Sequence, residues 1–336
     1  MTRVLIAGLV ALIVSIIAGP KFIAFLRANE FGQHIREDGP QHHFSKQGTP
    51  TMGGLMILFA ATIGFLPMTH FRLQALTVLF ATLACGAIGF LDDFVKLTRA
   101  RSLGLEGRWK MLLLAGVTVV VAVVAHHLHL STDVYVPVVD VSIPLSYGWY
   151  VFLFLIIAGA SNGTNLADGV DGLAAGTGII ALFTFTAMMI VSFVRSSTNP
   201  AHRNLTKLDL AIIGAALIGA SIGFLWYNAF PAEVIMGDTG SMAFGGAIAT
   251  FAIMTKTEVL LLLIGGIFVI EALSVMIQVF AFKYAGRRVF LMAPIHHHFE
   301  MKAWSETKIM VRFWIVAGIL CSAGFALFYR YYFGQR

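Results

Sequence analysis

The sequence predicts an all-α polytopic membrane protein: about ten transmembrane helices, a small external β-hairpin, and a site assembled from five loops on one membrane face. Three observations carry this reading. Of the 336 residues, 58% are hydrophobic and only 12% charged, with a mean hydropathy of +0.84. That composition excludes a soluble globular domain. Ten apolar runs approach the ~20 residues that a helix needs to cross the hydrocarbon core. The densest polar stretches follow only the odd-numbered runs.

The runs span 4–26, 52–67, 73–91, 111–128, 147–161, 173–194, 209–227, 241–255, 258–282 and 309–330. The first could be taken for a signal peptide behind Arg3. No small-x-small cleavage pattern precedes Pro20, however, and further runs follow, so it reads as a spanning helix. The fifth and eighth are short, and the ninth is long enough to tilt or break. The 33 glycines, many inside these runs, suit close helix–helix approach. With no internal repeat and no low-complexity linker, residues 1–336 read as a single domain. Between the fourth and fifth runs, Val134, Val136 and Val138 alternate with Tyr135, Pro137 and Val139, the pattern of a hairpin. Cys85 and Cys321 lie inside apolar runs and read as small buried hydrophobes, not as a disulfide or a metal site.

Lys and Arg set the orientation. Loops after odd helices carry fourteen of them, including Lys46, Lys96, Arg108, Lys110, Arg287 and Lys308, against eight on the other side. The positive-inside rule then places the odd loops in the cytoplasm and both termini outside. The loop 195–208 carries three positives against the trend, whereas His129 to Tyr147 carries none. The net charge of +6 fits anionic lipid and an anionic substrate; it is not a nucleic-acid signal here.

The polar clusters are Lys46–Thr51, Asp92–Asp93, Asn165–Gly172, Asn228 with Gly237–Asp238, and His296–His298. Independent polar turns would divide between the two faces, whereas a site built from five loops would not. In Asn165-Leu-Ala-Asp-Gly-Val-Asp-Gly172, two carboxylates lie within four residues between apolar runs. A charge at a helix centre costs roughly 2.5–3.5 kcal/mol, less toward the interface. The segment is either a polar turn or a ligand or metal site at the membrane surface. Asp92 and Asp93 point about 100° apart on a helix, which suits different tasks; the plainer reading is a solvated helix end near Lys96. Lys46-Gln-Gly-Thr-Pro-Thr-Met-Gly-Gly54 could hold phosphate through Lys46 and backbone N–H groups, or simply cap a helix at Thr49 or Thr51. Asp238, between Gly237 and Thr239-Gly240, suits a metal ligand or a helix cap. His296-His297-His298 cannot all reach one ion in regular structure, and phosphate or sugar contacts suit them better than a transition metal. Glu271 and Gln278, seven residues apart on one face, read as interhelical hydrogen bonding.

Taken together and in order, the Lys46–Gly54 stretch, Asp92-Asp93-Phe94, Asn165–Gly172, Gly237-Asp-Thr-Gly-Ser241 and Pro294-Ile-His-His-His-Phe-Glu300 resemble the phospho-N-acetylmuramoyl-pentapeptide transferases. The resemblance covers roughly Lys46 to Lys308. It implies ten helices, a cytoplasmic active site in the bacterial inner membrane, a Mg²⁺ cofactor and a homodimer. The family passes the sugar phosphate of UDP-N-acetylmuramoyl-pentapeptide to undecaprenyl phosphate, giving lipid I and UMP. By matched position, the resemblance makes Asp238 the Mg²⁺ ligand and Asp92 and Asp93 catalytic or lipid-phosphate-facing acids. Asn165, Asp168, Asp171 and Asn228 would shape the nucleotide site. Lys46, Thr51, Lys96, His297 and His298 would hold the anionic substrates. Ile235 departs from the aromatic residue common just before the Met-Gly-Asp of this family, which weakens stacking on the uracil ring. The nearest rival is the sister activity on N-acetylglucosamine phosphate, against which the His-containing loop argues. A secondary transporter would want inverted repeats and a midplane site, and an intramembrane aspartyl protease would want its acids inside facing helices.

Overall fold

A computed structural model describes residues 1–29, 48–98 and 104–333. Eight of its helices are long and apolar enough to cross a membrane: α1 (Thr2–Ala28), α3 (Leu73–Thr98), α4 (Gly107–His127), α5 (Gly148–Ala167), α6 (Leu173–Arg195), α7 (Leu205–Asn228), α10 (Gly266–Ala285) and α12 (Glu306–Phe333). Against the ten spans expected, the other two runs form α2 (Gly54–Phe65), a shorter apolar helix, and α8 (Gly237–Thr255). Short helices α9 (Leu261–Ile264) and α11 (Ile295–Glu300) lie on either side of α10 in the chain. The ninth apolar run breaks, as its length suggested, at Gly265 between α9 and α10.

The ends differ from expectation in a consistent way. The second helix is the short one, not the fifth: α5 runs on to Ala167, so Asn165 sits in its last turn. Likewise α3 continues through Asp92 and Asp93 to Thr98. Polar residues continue these helices because they find partners inside the protein, so the chain does not have to turn toward water there.

At the centre lies α8. Every residue from Thr239 to Met254 is buried, packed against α3 and α5 with α2 and α6 beside them. By contrast α12 is the most exposed of the spanning helices, with only 22% of its apolar window buried.

The antiparallel hairpin β1 (Asp133–Val136) and β2 (Val141–Pro144) pairs Val134 with Ile143 and Val136 with Val141, as the alternation required. It joins the end of α4 to the start of α5, and Tyr331 near the end of α12 donates to the Val138 carbonyl (3.4 Å). On the same face Arg3 of α1 donates to the carbonyl of Met68 (3.2 Å). Both ends of the described chain therefore share a face with the hairpin. There the fully buried Asp209 of α7 accepts from the backbone N–H groups of His70 and Arg72 and from the Thr69 hydroxyl, each at 2.9 Å. This ties down the connection into α3. Cys85 and Cys321 are free and buried.

Candidate active site

The opposite face gathers the polar loops. In the last turns of α3, Asp92 and Asp93 diverge as their helical phase dictates. Asp93 faces α8. Its carboxylate accepts from the backbone N–H of Asp238 (3.1 Å) and Thr239 (2.9 Å) and from the Thr239 hydroxyl (2.7 Å). An anion from a neighbouring helix thus caps an N-terminus that has no side-chain cap of its own. Neither Asp238 nor, at α2, Thr49 or Thr51 serves as a cap; the N-cap residue of α2 is Gly53. Gly237 adopts φ +73°, and a Cβ there would meet Asp93 at 2.7 Å and the Thr51 hydroxyl at 2.8 Å. Thr51 is buried beside this junction.

Asp92 points the other way. It pairs with Lys96 (2.7 Å) and Lys110 (3.2 Å) and accepts from the Leu105 backbone (2.9 Å). The same two ammonium groups reach Asp238, Lys96 at 3.0 Å and Lys110 at 3.1 Å. Oxygens of Asp92, Asp93 and Asp238 come within 4.8 Å of one another. Three carboxylates against two lysines leave the cluster one formal negative charge. Lys110, on the first turns of α4, is the functional candidate that sequence reasoning missed. In the sequence it is one positive charge of its loop, with nothing to distinguish it from Arg108; only the fold brings it to the acids.

The Asn165–Gly172 segment borders the cluster. Asn165 donates to the Ser241 hydroxyl (3.0 Å) and hydrogen-bonds Asp238. Asp171 accepts from the Ala232 backbone (3.0 Å), while Asn228 accepts from Gly172 (3.1 Å) and donates to the Val234 carbonyl (2.9 Å). Asp171 and Asn228 therefore brace the 229–236 loop against α6. Ile235 is 8% exposed, and its backbone is paired with Pro50 (2.8 Å) and Gly53 (2.9 Å).

Asp168 follows the end of α5. Burial raises its carboxyl well above the ordinary carboxylate range, and the charges of Asp238, Asp93 and Asp171 push the same way, against one hydrogen bond from the Gly237 backbone. The sign of the pH effect follows. In acid, folded and unfolded chains both hold the proton, so Asp168→Asn changes little. At higher pH the unfolded chain releases the proton while the folded chain retains it, so the wild type loses stability relative to the Asn variant. Thermal unfolding in detergent between about pH 4 and pH 8 should show the advantage of Asn growing with pH. An advantage that shrinks would contradict the assignment.

Comparison with known proteins fits this geometry. Residues 75–256 match the glycosyl transferase family 4 model, and residues 46–58 match signature 1 of the phospho-N-acetylmuramoyl-pentapeptide-transferases. Proteins of that name from Frankia alni and Rubrobacter xylanophilus are each 45% identical, over 98% of this chain and 98% of theirs. The Bacillus subtilis protein of that name is 43% identical over 94% of this chain and 95% of its own. The chain belongs to the phospho-N-acetylmuramoyl-pentapeptide-transferase family. Lys46, which opens the family's signature 1, lies outside the described residues.

The His-containing loop of this transferase family forms α11 and meets the acid-bearing loop directly. His296 is buried and its Nδ1 lies 3.1 Å from Glu271 of α10. A Cβ on Gly169 would stand 2.3 Å from His296 Nε2, so only glycine allows this approach. His297 pairs with Glu300, and His298 accepts from the Leu291 backbone through Nδ1 (3.1 Å). Donor atoms of His296, His297 and Glu300 also converge within 4.8 Å. Each histidine of this trio already has a carboxylate partner, however, so we read it as a hydrogen-bonded knot. Of the two residues read as interhelical hydrogen bonding, Glu271 makes such a bond and Gln278 does not. Glu271 holds α11, and Gln278 holds the loop before it. Two facing polar residues show a helix face; they do not show what lies opposite.

Proposed function

We propose that this transferase passes phospho-N-acetylmuramoyl-pentapeptide from its UDP-sugar to undecaprenyl phosphate, forming lipid I and releasing UMP. The observation that carries the reading is the Asp92–Asp93–Asp238 cluster with Lys96 and Lys110 at one end of the spanning helices. One substrate is soluble and the other is membrane-bound, so the reaction belongs at the interface. Phosphoryl transfer between two anions asks for positioning and charge neutralisation more than for covalent protein chemistry.

The donor set fits Mg²⁺, since three carboxylates offer only hard oxygen ligands. Asp238 would be its main ligand, with Asp92 beside it, because Asp93 is committed to the α8 backbone. When bound, Mg²⁺ supplies a positive charge against the diphosphate. Asp92 accepts the proton of the lipid phosphate, a modest demand on a group whose second pKa is about 6. The phosphate oxygen then forms a bond to the sugar-bearing phosphorus while the P–O bond to UMP breaks. Lys96 and Lys110 face the negative charge that develops on the leaving group. Asn165, Asp168 and the braces Asp171 and Asn228 shape the nucleotide side. Lys46, Thr51, His297 and His298 contribute to holding the anionic substrates.

The test uses purified protein with undecaprenyl phosphate and Mg²⁺. UMP release should require the muramoyl-pentapeptide donor, stop with EDTA, and not occur with UDP-N-acetylglucosamine. A preference for the smaller sugar would move the protein to the sister activity. Stoichiometric UMP release from lipid-stripped enzyme would replace the proton-acceptor role of Asp92 with a covalent one.

By this reading the site face is cytoplasmic, the hairpin and both termini are periplasmic, and the protein works as a homodimer in the bacterial inner membrane. Cysteine labelling of intact cells, in a variant lacking Cys85 and Cys321, should modify Ser131→Cys but not Ser102→Cys. The reverse pattern would invert the topology.

A further inference from the structure

We propose that Gln278 is a positioning residue: through the loop that follows α10 it fixes His298 as a neutral imidazole whose Nε2–H donates to an oxygen of the nucleotide-sugar substrate. The inference rests on the proposed transferase reading for the identity of that acceptor, and on geometry alone for the rest.

The loop between α10 and α11 has little to hold it. Val289 and Leu291 are 52% and 49% exposed, so apolar burial does not fix its path. Gln278 does. Its side-chain oxygen accepts from the backbone N–H of Val289 (3.0 Å) and Phe290 (2.9 Å), and its amide nitrogen donates to the Phe290 carbonyl (3.1 Å). One side chain thus pairs with the loop backbone much as a neighbouring strand would. It satisfies polar groups that no regular structure serves.

The next residue carries the consequence. Leu291 N–H points at His298 Nδ1 (3.1 Å). A backbone N–H can only donate, so Nδ1 must present its lone pair and the ring proton must sit on Nε2. An imidazolium would set two N–H groups against each other. The rings of Phe290 and Phe299 stand edge-on to the imidazole, with centroids 5.9 and 5.4 Å away, and restrict its rotation. Burial and the neighbouring Lys302 lower its basicity in the same direction. Nε2 has no partner among the described residues. The helix that bears it touches the Asn165–Gly172 segment, since His296 abuts Gly169, one residue from Asp168. A neutral donor of fixed direction suits recognition of a sugar, peptide or phosphate oxygen without adding charge to a site that already holds two lysines.

The first test needs no variant. In protein labelled with ¹⁵N-histidine, with His298 assigned by its loss in His298→Asn, the ring should titrate as the Nε2–H tautomer. In Gln278→Leu, which removes all three hydrogen bonds, both tautomers should appear. Gln278→Glu keeps the two accepted bonds and should be intermediate, and it serves if the Leu variant does not fold. In UMP-release assays, Gln278→Leu should raise KM for the UDP-sugar about tenfold or more with a smaller change in kcat. His298→Gln, whose amide nitrogen overlays Nε2, should outperform His298→Asn, whose amide overlays Nδ1. Combining Gln278→Leu with His298→Asn should cost little beyond the single His change. An Nδ1–H tautomer in the wild type, an unmoved tautomer in Gln278→Leu, or a better Asn than Gln variant would each overturn the proposal. Absence of turnover with the muramoyl donor would instead count against the transferase reading and leave the spectroscopic result standing.

Discussion

Asp238→Asn should lower single-turnover UMP release by at least about a thousandfold, the upper range for removing one electrostatic stabiliser, while the protein remains folded in detergent. Its two oxygens hold Lys96 and Lys110 separately, at 3.0 and 3.1 Å, so this carboxylate fixes both ammonium groups. Neutralising it leaves the lysines to Asp92 and reduces the carboxylates free to hold a divalent cation from two to one. The fold should survive because the contact that anchors α8 uses the backbone N–H of residue 238, which Asn retains. Mg²⁺ titration of the residual activity should show a higher requirement. Turnover within tenfold of wild type at ordinary Mg²⁺ would remove Asp238 from the centre of the site.

Gly89→Ala should be among the most damaging of the small substitutions. A Cβ at this position would lie 2.1 Å from the carbonyl oxygen of Asp238, 2.4 Å from its carbon and 2.7 Å from the Thr239 nitrogen. All three are backbone atoms of the first turn of α8, so no side chain can swing away. The added methyl must push α8 off α3 at the point where Asp93 caps it. A cost of about 3 kcal/mol or more, at the upper end of overpacking, should appear as a large loss of thermal stability in detergent, with activity lost in parallel. Gly159→Ala is the control, since nothing lies within 4 Å of a Cβ there and it should be silent. If Gly89→Ala retained wild-type stability and turnover, the tight junction between α3 and α8 would be disproved.

Much of this architecture was legible in the chain because the bilayer imposes a length on apolar runs. The polar clusters following every second run correctly marked one face, and the alternation around Val134 marked the hairpin. What the sequence concealed was partnership. Asp92 and Asp93 look like the hydrated end of a helix until Lys96, Lys110 and the amides of α8 are placed around them. Asp93 reads as a reactive acid, yet both of its oxygens accept from Asp238 and Thr239. Lys110 is one basic residue among several in its loop until the fold carries it to Asp92 and Asp238. Glu271 and Gln278 share a face, but one serves a histidine and the other a stretch of bare backbone.

The burial of α8 also bears on how the protein is made. A helix with no lipid-facing surface, and with Asp238 in its first turn, would be a poor tenant of the bilayer if it were released from the translocation machinery alone. Its main packing partners beyond the adjoining α9 are α2, α3, α5 and α6, all earlier in the chain and so already synthesised when it emerges. The order of the helices thus allows α8 to dock into a waiting cleft. A defect in that cleft, such as a side chain at position 89, should show first as a failure of membrane insertion.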